Sequence, residues 1–180
     1  HVTFFVNSLA HILGRQTYSD AHTAKDSVVV ALLTNGEGYH NFHHTFEADY
    51  RNGIRWYQWD PTKWFIQSMS WVGQTYNLKR VPDHRILGAR MKMQQELLVR
   101  EGVNTDRLEA LRLRMDETAK QLHRLRREYM QKKADLAAQG RDKIKQLKFE
   151  MKMAKIEYRM VLEQWRDALS ELKSTAPAMA

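Results

Sequence analysis

Three of the eight histidines in this 180-residue chain stand within five positions, His40, His43 and His44, in the stretch "GEGYHNFHHTFEADYRNG". On a helix, residues at i, i+3 and i+4 share a face, so His40 and His43 or His44 can turn toward one centre. Neutral imidazole is a general ligand for first-row transition metals. The chain has no cysteine, which excludes a thiolate-rich zinc site, a disulfide framework and a Cys nucleophile, and fits a reducing compartment. A solvated, His-rich turn without metal is the alternative. Asn7 and His11 in "NSLAH" also stand at i and i+4. Alone they read as a hydrogen-bonding pair; beside the histidine cluster they read as a second part of one site. Asp49, Tyr50 and Arg51, directly after the cluster, could orient a ligand imidazole through charge and hydrogen bonds, or could be a solvated polar turn.

Such residues need elements to hold them. Val2 to Leu13 is compatible with a helix ended by Gly14. This apolar opening is shorter than the ~20 residues a membrane span requires, although the cut end of a longer span would look the same. The segment from Lys25 to Leu33 reads as helix, with strand as competitor because of its β-branched run "SVVVALL". Asp60 and Pro61 form a cap and first-turn pair opening another helix. The Trp64, Phe65, Met69, Trp71 and Val72 side chains of that helix suit either core packing or a membrane interface.

Beyond Pro82 the pattern changes. Residues 84–173 hold 22 Lys/Arg against 14 Asp/Glu and so carry the whole formal charge of +8. Leu108, Leu111, Met115, Thr118, Leu122, Leu125, Tyr129, Lys132 and Leu136 follow a 3,4 spacing. Ile144, Leu147, Met151, Ala154, Tyr158, Val161, Trp165, Ala168 and Leu172 repeat it. Such a stripe faces a partner helix. Gly140, midway between the runs, predicts a turn and an antiparallel helical hairpin with arms of about 45 Å; one unbroken dimerising helix is the competitor. Basic and acidic residues alternate along these helices and no base-reading motif appears, so nucleic acid is not an expected partner.

The order "NSLAH", "GEGYHNFHHTFEADYR" and "DPTKWFI" resembles the C-terminal third of the membrane-bound acyl-CoA desaturases of the stearoyl-CoA delta-9 type, from about Val2 to Arg80. The resemblance implies two non-haem iron ions (Fe2+), with His11, His40, His43 and His44 as metal ligands and Asn7 linked through a water. It also implies fatty acyl-CoA and O2 as substrates, introduction of a cis double bond, and Thr3 and Phe4 in the acyl tunnel. Phe4 departs from the Trp frequent there in animal members, and Glu47 from a frequent Pro.

Two earlier histidine boxes of that family, HxxxxH and HxxHH, are not in this sequence, and His1, His22, His84 and His123 look too scattered to replace them. About half of a two-metal site is therefore expected here, and the isolated chain is expected to be inactive. Because the sequence opens on His1 rather than Met, further helices and both boxes are expected upstream. With no HPGG segment of a fused cytochrome b5 domain, electrons would come from a separate donor of the ferredoxin, rubredoxin or cytochrome b5 type.

The expected fold is all-α: the end of a transmembrane helix, cytosolic or interfacial helices with the histidine box, then a helical hairpin. The expected divisions are residues 1–82, a connecting helix 83–103, a basic coiled coil 104–173 and a tail 174–180. The protein would be integral to a membrane, its active site and tail on the cytosolic side. The competing reading is a coiled-coil interaction or structural protein with a relic desaturase segment.

Overall fold

The computed structural model describes residues 8–135 and 141–175, whose regular elements are all helical. A helical stretch over residues 8–12 precedes α1 (Val28–Leu33), α2 (His40–Thr45), α3 (Pro61–Trp71), α4 (Asp83–Arg100), α5 (Asp106–Asp135) and α6 (Arg141–Thr175). Extended pairing among the described residues is limited to the isolated bridges Arg15 to Asp26 and Asp26 to Tyr39. None of the described helices is long and apolar enough to cross a membrane. The chain divides into two units, residues 1–94 and 95–180. That division falls inside α4, between the boundaries expected at 82/83 and 103/104.

In the first unit the loop geometry is set by close backbone approaches. The stretch 8–12 ends at Gly14, whose φ is +122° and where a Cβ would lie 2.3 Å from the Asp26 carbonyl oxygen. Only glycine permits both the dihedral and the contact. The chain then pairs Arg15 with Asp26 through reciprocal N–H to carbonyl bonds of 3.0 and 2.8 Å. These bonds extend the backbone at Lys25 and Asp26, so α1 starts at Val28 rather than at the expected Lys25, capped by the Ser27 side chain. Gly38, the second glycine of "GEG", sits against α1: a Cβ there would lie 2.0 Å from the Ala31 nitrogen. Close packing of this turn on α1 fixes where α2, and with it His40, begins.

Asp60 caps α3 as expected, its side chain accepting from the Lys63 N–H, with Pro61 in the first turn. The face of α3 turned inward is not the aromatic one. Lys63 is buried, whereas Phe65 and Trp71 are 63% and 80% exposed, so these two aromatics do not pack into the core of the described residues. The physical reason is local: the Lys63 ammonium donates to the carbonyls of Gly53 (2.8 Å), Arg55 (2.8 Å) and Gln58 (3.2 Å). One side chain thus bonds three loop carbonyls, of which that of Arg55 also accepts from the Gln58 N–H at 3.1 Å, and α3 is turned to deliver it. A core of Phe42, Phe46 and Ile86, flanked by Tyr18, Ile54, Val81 and Ala89, lies beneath α2.

In the second unit α5 packs along α6. Arg107 pairs with Glu171 (2.9 Å) and Arg114 with Glu157 (3.2 Å), so the two helices run in opposite directions. The predicted stripes are the ones turned inward. Leu108, Met115 and Thr118 of α5 and Leu147, Ala154, Val161, Trp165 and Ala168 of α6 are buried. The stripe positions between them are half-buried. The ion pairs lie at the solvent edge and contribute little, so burial of the stripe holds the pair together. The turn expected at Gly140 lies outside the described residues.

Candidate metal centre

Residues His40 and His44 lie one turn apart on α2, and their Nε2 atoms approach to 3.1 Å. His11, on the helical stretch 8–12, joins them, so that one nitrogen from each of His11, His40 and His44 lies within 4.8 Å of the others. The ring centroids are 5.0 Å apart for His11 and His40, 4.4 Å for His40 and His44, and 6.2 Å for His11 and His44. A metal bound by imidazoles at ~2.1 Å would hold tetrahedrally arranged ring centroids about 5 Å apart. Both spacing and donor type therefore fit a transition-metal ion. Burial pushes His40 down to about 4, aided by the neighbouring charges of His44, His11, His43 and His22. The imidazole is thus neutral at pH 7, the form that can donate to a metal. His11 bonds through Nδ1 to the Thr23 hydroxyl at 2.7 Å, leaving its Nε2 available.

The other candidates are placed differently. His43 stacks on His40 at 6.3 Å and lies 5.6 Å from His44 by ring centroids, on the flank of the trio rather than in it. Asn7, Thr3 and Phe4 lie outside the described residues. His22, set aside with three others as too scattered to replace the missing histidine boxes, is brought near by the loop: its ring centroid is 5.3 Å from that of His44. Burial, then the charges of His44 and His11, hold its pKa below the usual imidazole value.

The device that folds this loop is Asn41, between the histidines on α2 and fully buried. Its Oδ1 accepts from the N–H groups of Thr17 (3.0 Å), Tyr18 (2.8 Å) and Ser19 (3.3 Å). Its Nδ2 donates to the carbonyls of Ser19 (2.6 Å) and Ala24 (2.9 Å). One side chain thus ties residues 17–24 to the histidine helix and carries His22 and Thr23 to the site. Sequence reasoning passed over Asn41; its only signal was an amide one residue beyond His40, on a different face.

Asp49, Tyr50 and Arg51 do form a charge and hydrogen-bond group. The Arg51 guanidinium donates to both Asp49 oxygens, at 2.9 and 2.8 Å, and to the Ile54 carbonyl. Asp49 also accepts from the Val81 N–H at 2.9 Å, while the Tyr50 hydroxyl bonds Gln67 and receives Arg80. Burial pushes the Asp49 carboxyl up, but these Arg51 and Val81 donors outweigh it and leave the pKa below the usual value. The group braces the chain after α2 against the approach to α4.

Comparison with known proteins bears on what this arrangement serves. The chain is 49% identical over 100 residues to the "Probable acyl-CoA desaturase" of Schizosaccharomyces pombe, covering 56% of this chain and 21% of that protein. Over about half its length, the chain is related to the acyl-CoA desaturases. Acyl-CoA desaturase 1 of Saccharomyces cerevisiae is 49% identical over 94 residues, covering 52% of this chain and 18% of its own. Stearoyl-CoA desaturase 5 of Bos taurus is 38% identical over 86 residues, covering 48% and 26%. The desaturase segment thus corresponds to about a fifth to a quarter of these relatives. No family model matches the chain.

Proposed function

We propose that this chain contributes part of the metal centre of an O2-dependent, di-iron fatty acyl-CoA desaturase that introduces a cis double bond, of the delta-9 type, into a saturated acyl chain. The convergence of His11 with His40 and His44, from segments far apart in sequence, carries the reading. His11, His40, His43 and His44 would hold iron, with Asn7 linked through a water. Iron bound there would supply the oxidising power, drawn from O2, that removal of hydrogen from an unactivated methylene demands. The chain's own part is to keep His40 neutral and the rings oriented: Thr23 fixes the His11 ring, and Asn41 fixes the loop that carries Thr23. Thr3 and Phe4 would line the acyl tunnel.

The outer faces of the first unit support a membrane setting. Val28, Val29, Leu32 and Leu33 of α1 and Trp64, Phe65 and Trp71 of α3 are exposed, and tryptophan-bearing helices favour the bilayer interface. With the site on the cytosolic side, the basic helices α5 and α6 would form an antiparallel hairpin facing the cytosol. Their field could steer a separate, acidic electron donor of the ferredoxin, rubredoxin or cytochrome b5 type. The antiparallel α5 and α6 pairing also favours a second reading, a coiled-coil interaction protein with a relic desaturase segment.

Product analysis of a longer desaturase containing this chain distinguishes the two. Replacing His40, His43 or His44 singly with Ala abolishes double-bond formation if they bind iron, whereas retained product in any one removes that residue from the set. The 180-residue chain alone is expected to bind iron weakly and form no product; two tightly bound irons per chain would overturn this.

A further inference from the structure

Within the loop hung on Asn41, the His22 imidazole has an unbalanced hydrogen-bond ledger. Its Nε2 lies 3.4 Å from the Thr45 hydroxyl oxygen. That hydroxyl has one hydrogen, and it is committed to the Asn41 carbonyl at 2.6 Å. Thr45 can therefore only accept from His22, so the ring hydrogen sits on Nε2 and Nδ1 carries a bare lone pair. The Nδ1 atom is buried and has no hydrogen-bond partner. A buried acceptor left unmade costs roughly 1–3 kcal/mol, and native folds rarely leave one without a reason. The ring stands 5.3 Å from His44, within the 4.4–6.2 Å range of spacings inside the His11, His40 and His44 trio.

We propose that His22 is a further imidazole ligand of this centre, binding a divalent transition metal through Nδ1 while Thr45 holds its Nε2–H. The arrangement is the usual one for a ligating histidine, in which the ring nitrogen away from the metal donates to a fixed oxygen. Because Nδ1 bears no hydrogen, binding releases no proton from His22. The ligand would come from a loop, not from either histidine-bearing helix, so loop order and metal occupancy would rise together. This inference rests on the reading of the trio as a metal centre and adds a residue to it.

The test uses the full 180-residue chain, labelled with 15N-histidine and titrated with Zn2+. The expected result is that the His22 Nδ1 resonance moves from the position of an unprotonated nitrogen to that of a metal-bound one. Its Nε2 keeps its proton, and the His40 and His44 resonances shift in parallel. In the same chain His22→Ala is expected to weaken Zn2+ binding about tenfold or more, by the measure of ligand and supporting-residue losses at metal sites. Shifts at His40 and His44 with an unmoved His22 Nδ1 would overturn the inference and leave the trio standing. No shift at any of these imidazoles would overturn both. Since the resonances are read in the unmutated chain, a folding defect in His22→Ala cannot decide the matter.

Discussion

The Nε2 atoms of His40 and His44 face each other at 3.1 Å across one turn of α2. At this distance the two nitrogens can share one hydrogen, and with both hydrogens on Nδ1 their Nε2 lone pairs can converge on a cation without backbone movement. His44→Ala is therefore expected to lower Co2+ affinity at least a hundredfold, read from the visible absorption of the bound ion. His123→Ala, on α5 of the second unit, is expected to leave it unchanged. Equal losses in the two variants would mean that the visible signal reports nonspecific histidine binding.

The five hydrogen bonds of the Asn41 side chain make it the most connected polar group of the site. Asn41→Ala strands three N–H groups and two carbonyls, and a loss of about 3 kcal/mol or more is expected from chemical denaturation. Asn41→Asp separates the two halves of the role. It keeps the acceptor for Thr17, Tyr18 and Ser19 but turns a carboxylate oxygen toward the carbonyls of Ser19 and Ala24. Destabilisation comparable to that of Asn41→Ala is expected; near wild-type stability would show that the donor half contributes little.

How far these features could be read from sequence depends on how local their causes are. The 3,4 stripes of α5 and α6 were legible because each position needs only its own helix to be placed, and the described stripe residues are buried or half-buried. Asp60 was legible as a cap for the same reason. The orientation of α3 was not, since it depends on Lys63 meeting three loop carbonyls that sequence spacing does not bring together. His22 was missed likewise: its proximity to His44 is created by Asn41 folding the intervening loop, a non-local bond that leaves no periodic trace. The start of α1 moved from Lys25 to Val28 because the Arg15 and Asp26 pairing competes with helix for the same backbone groups.

Burial gives Asp26 a distinctive pH dependence. It raises the carboxyl from 3.8 to about 6, against the opposing bonds from the Phe42 N–H and the Thr17 side chain. The fold therefore binds a proton more tightly than the unfolded chain does. This cost to stability is absent below about pH 4, grows between pH 4 and pH 6, and is complete above that. His40 acts in the opposite sense nearby: its pKa falls from 6.5 to about 4, so the stability it contributes is lost as pH drops through that interval. The two tendencies overlap in the wild type, and the informative quantity is a difference. Asp26→Asn is expected to melt at a higher temperature than wild type at pH 7, the gap closing by pH 4 in scanning calorimetry. A gap independent of pH would assign the effect to packing.

Lys63 is buried, and burial, partly offset by Asp60, lowers its pKa from the usual lysine value. The ammonium still outweighs its desolvation through its three carbonyl partners. Lys63→Met keeps the length of the stem and removes every donor, so the carbonyls of Gly53 and Gln58 lose their ammonium partner and that of Arg55 keeps only the Gln58 N–H. A loss of about 2–4 kcal/mol is expected, with increased hydrogen exchange over residues 53–60. An unchanged exchange rate there would place the loop's order elsewhere.

In the second unit, Trp165 is 2% exposed and Met153, on the same helix, is 48% exposed. The side chain at 165 lies on the predicted stripe and that at 153 does not, so the two positions isolate what the stripe contributes. Trp165→Ala removes a large buried ring from between α5 and α6 and is expected to cost about 3–5 kcal/mol. Met153→Ala is expected to stay within about 0.5 kcal/mol of wild type. Both values come from urea denaturation followed by circular dichroism at 222 nm, where these two long helices supply much of the signal. Arg114→Ala, which deletes the ion pair with Glu157, should also cost less than about 1 kcal/mol because both partners are solvent-exposed. A larger loss at Arg114 than at Trp165 would mean that charge pairing, rather than burial of the stripe, holds α5 against α6.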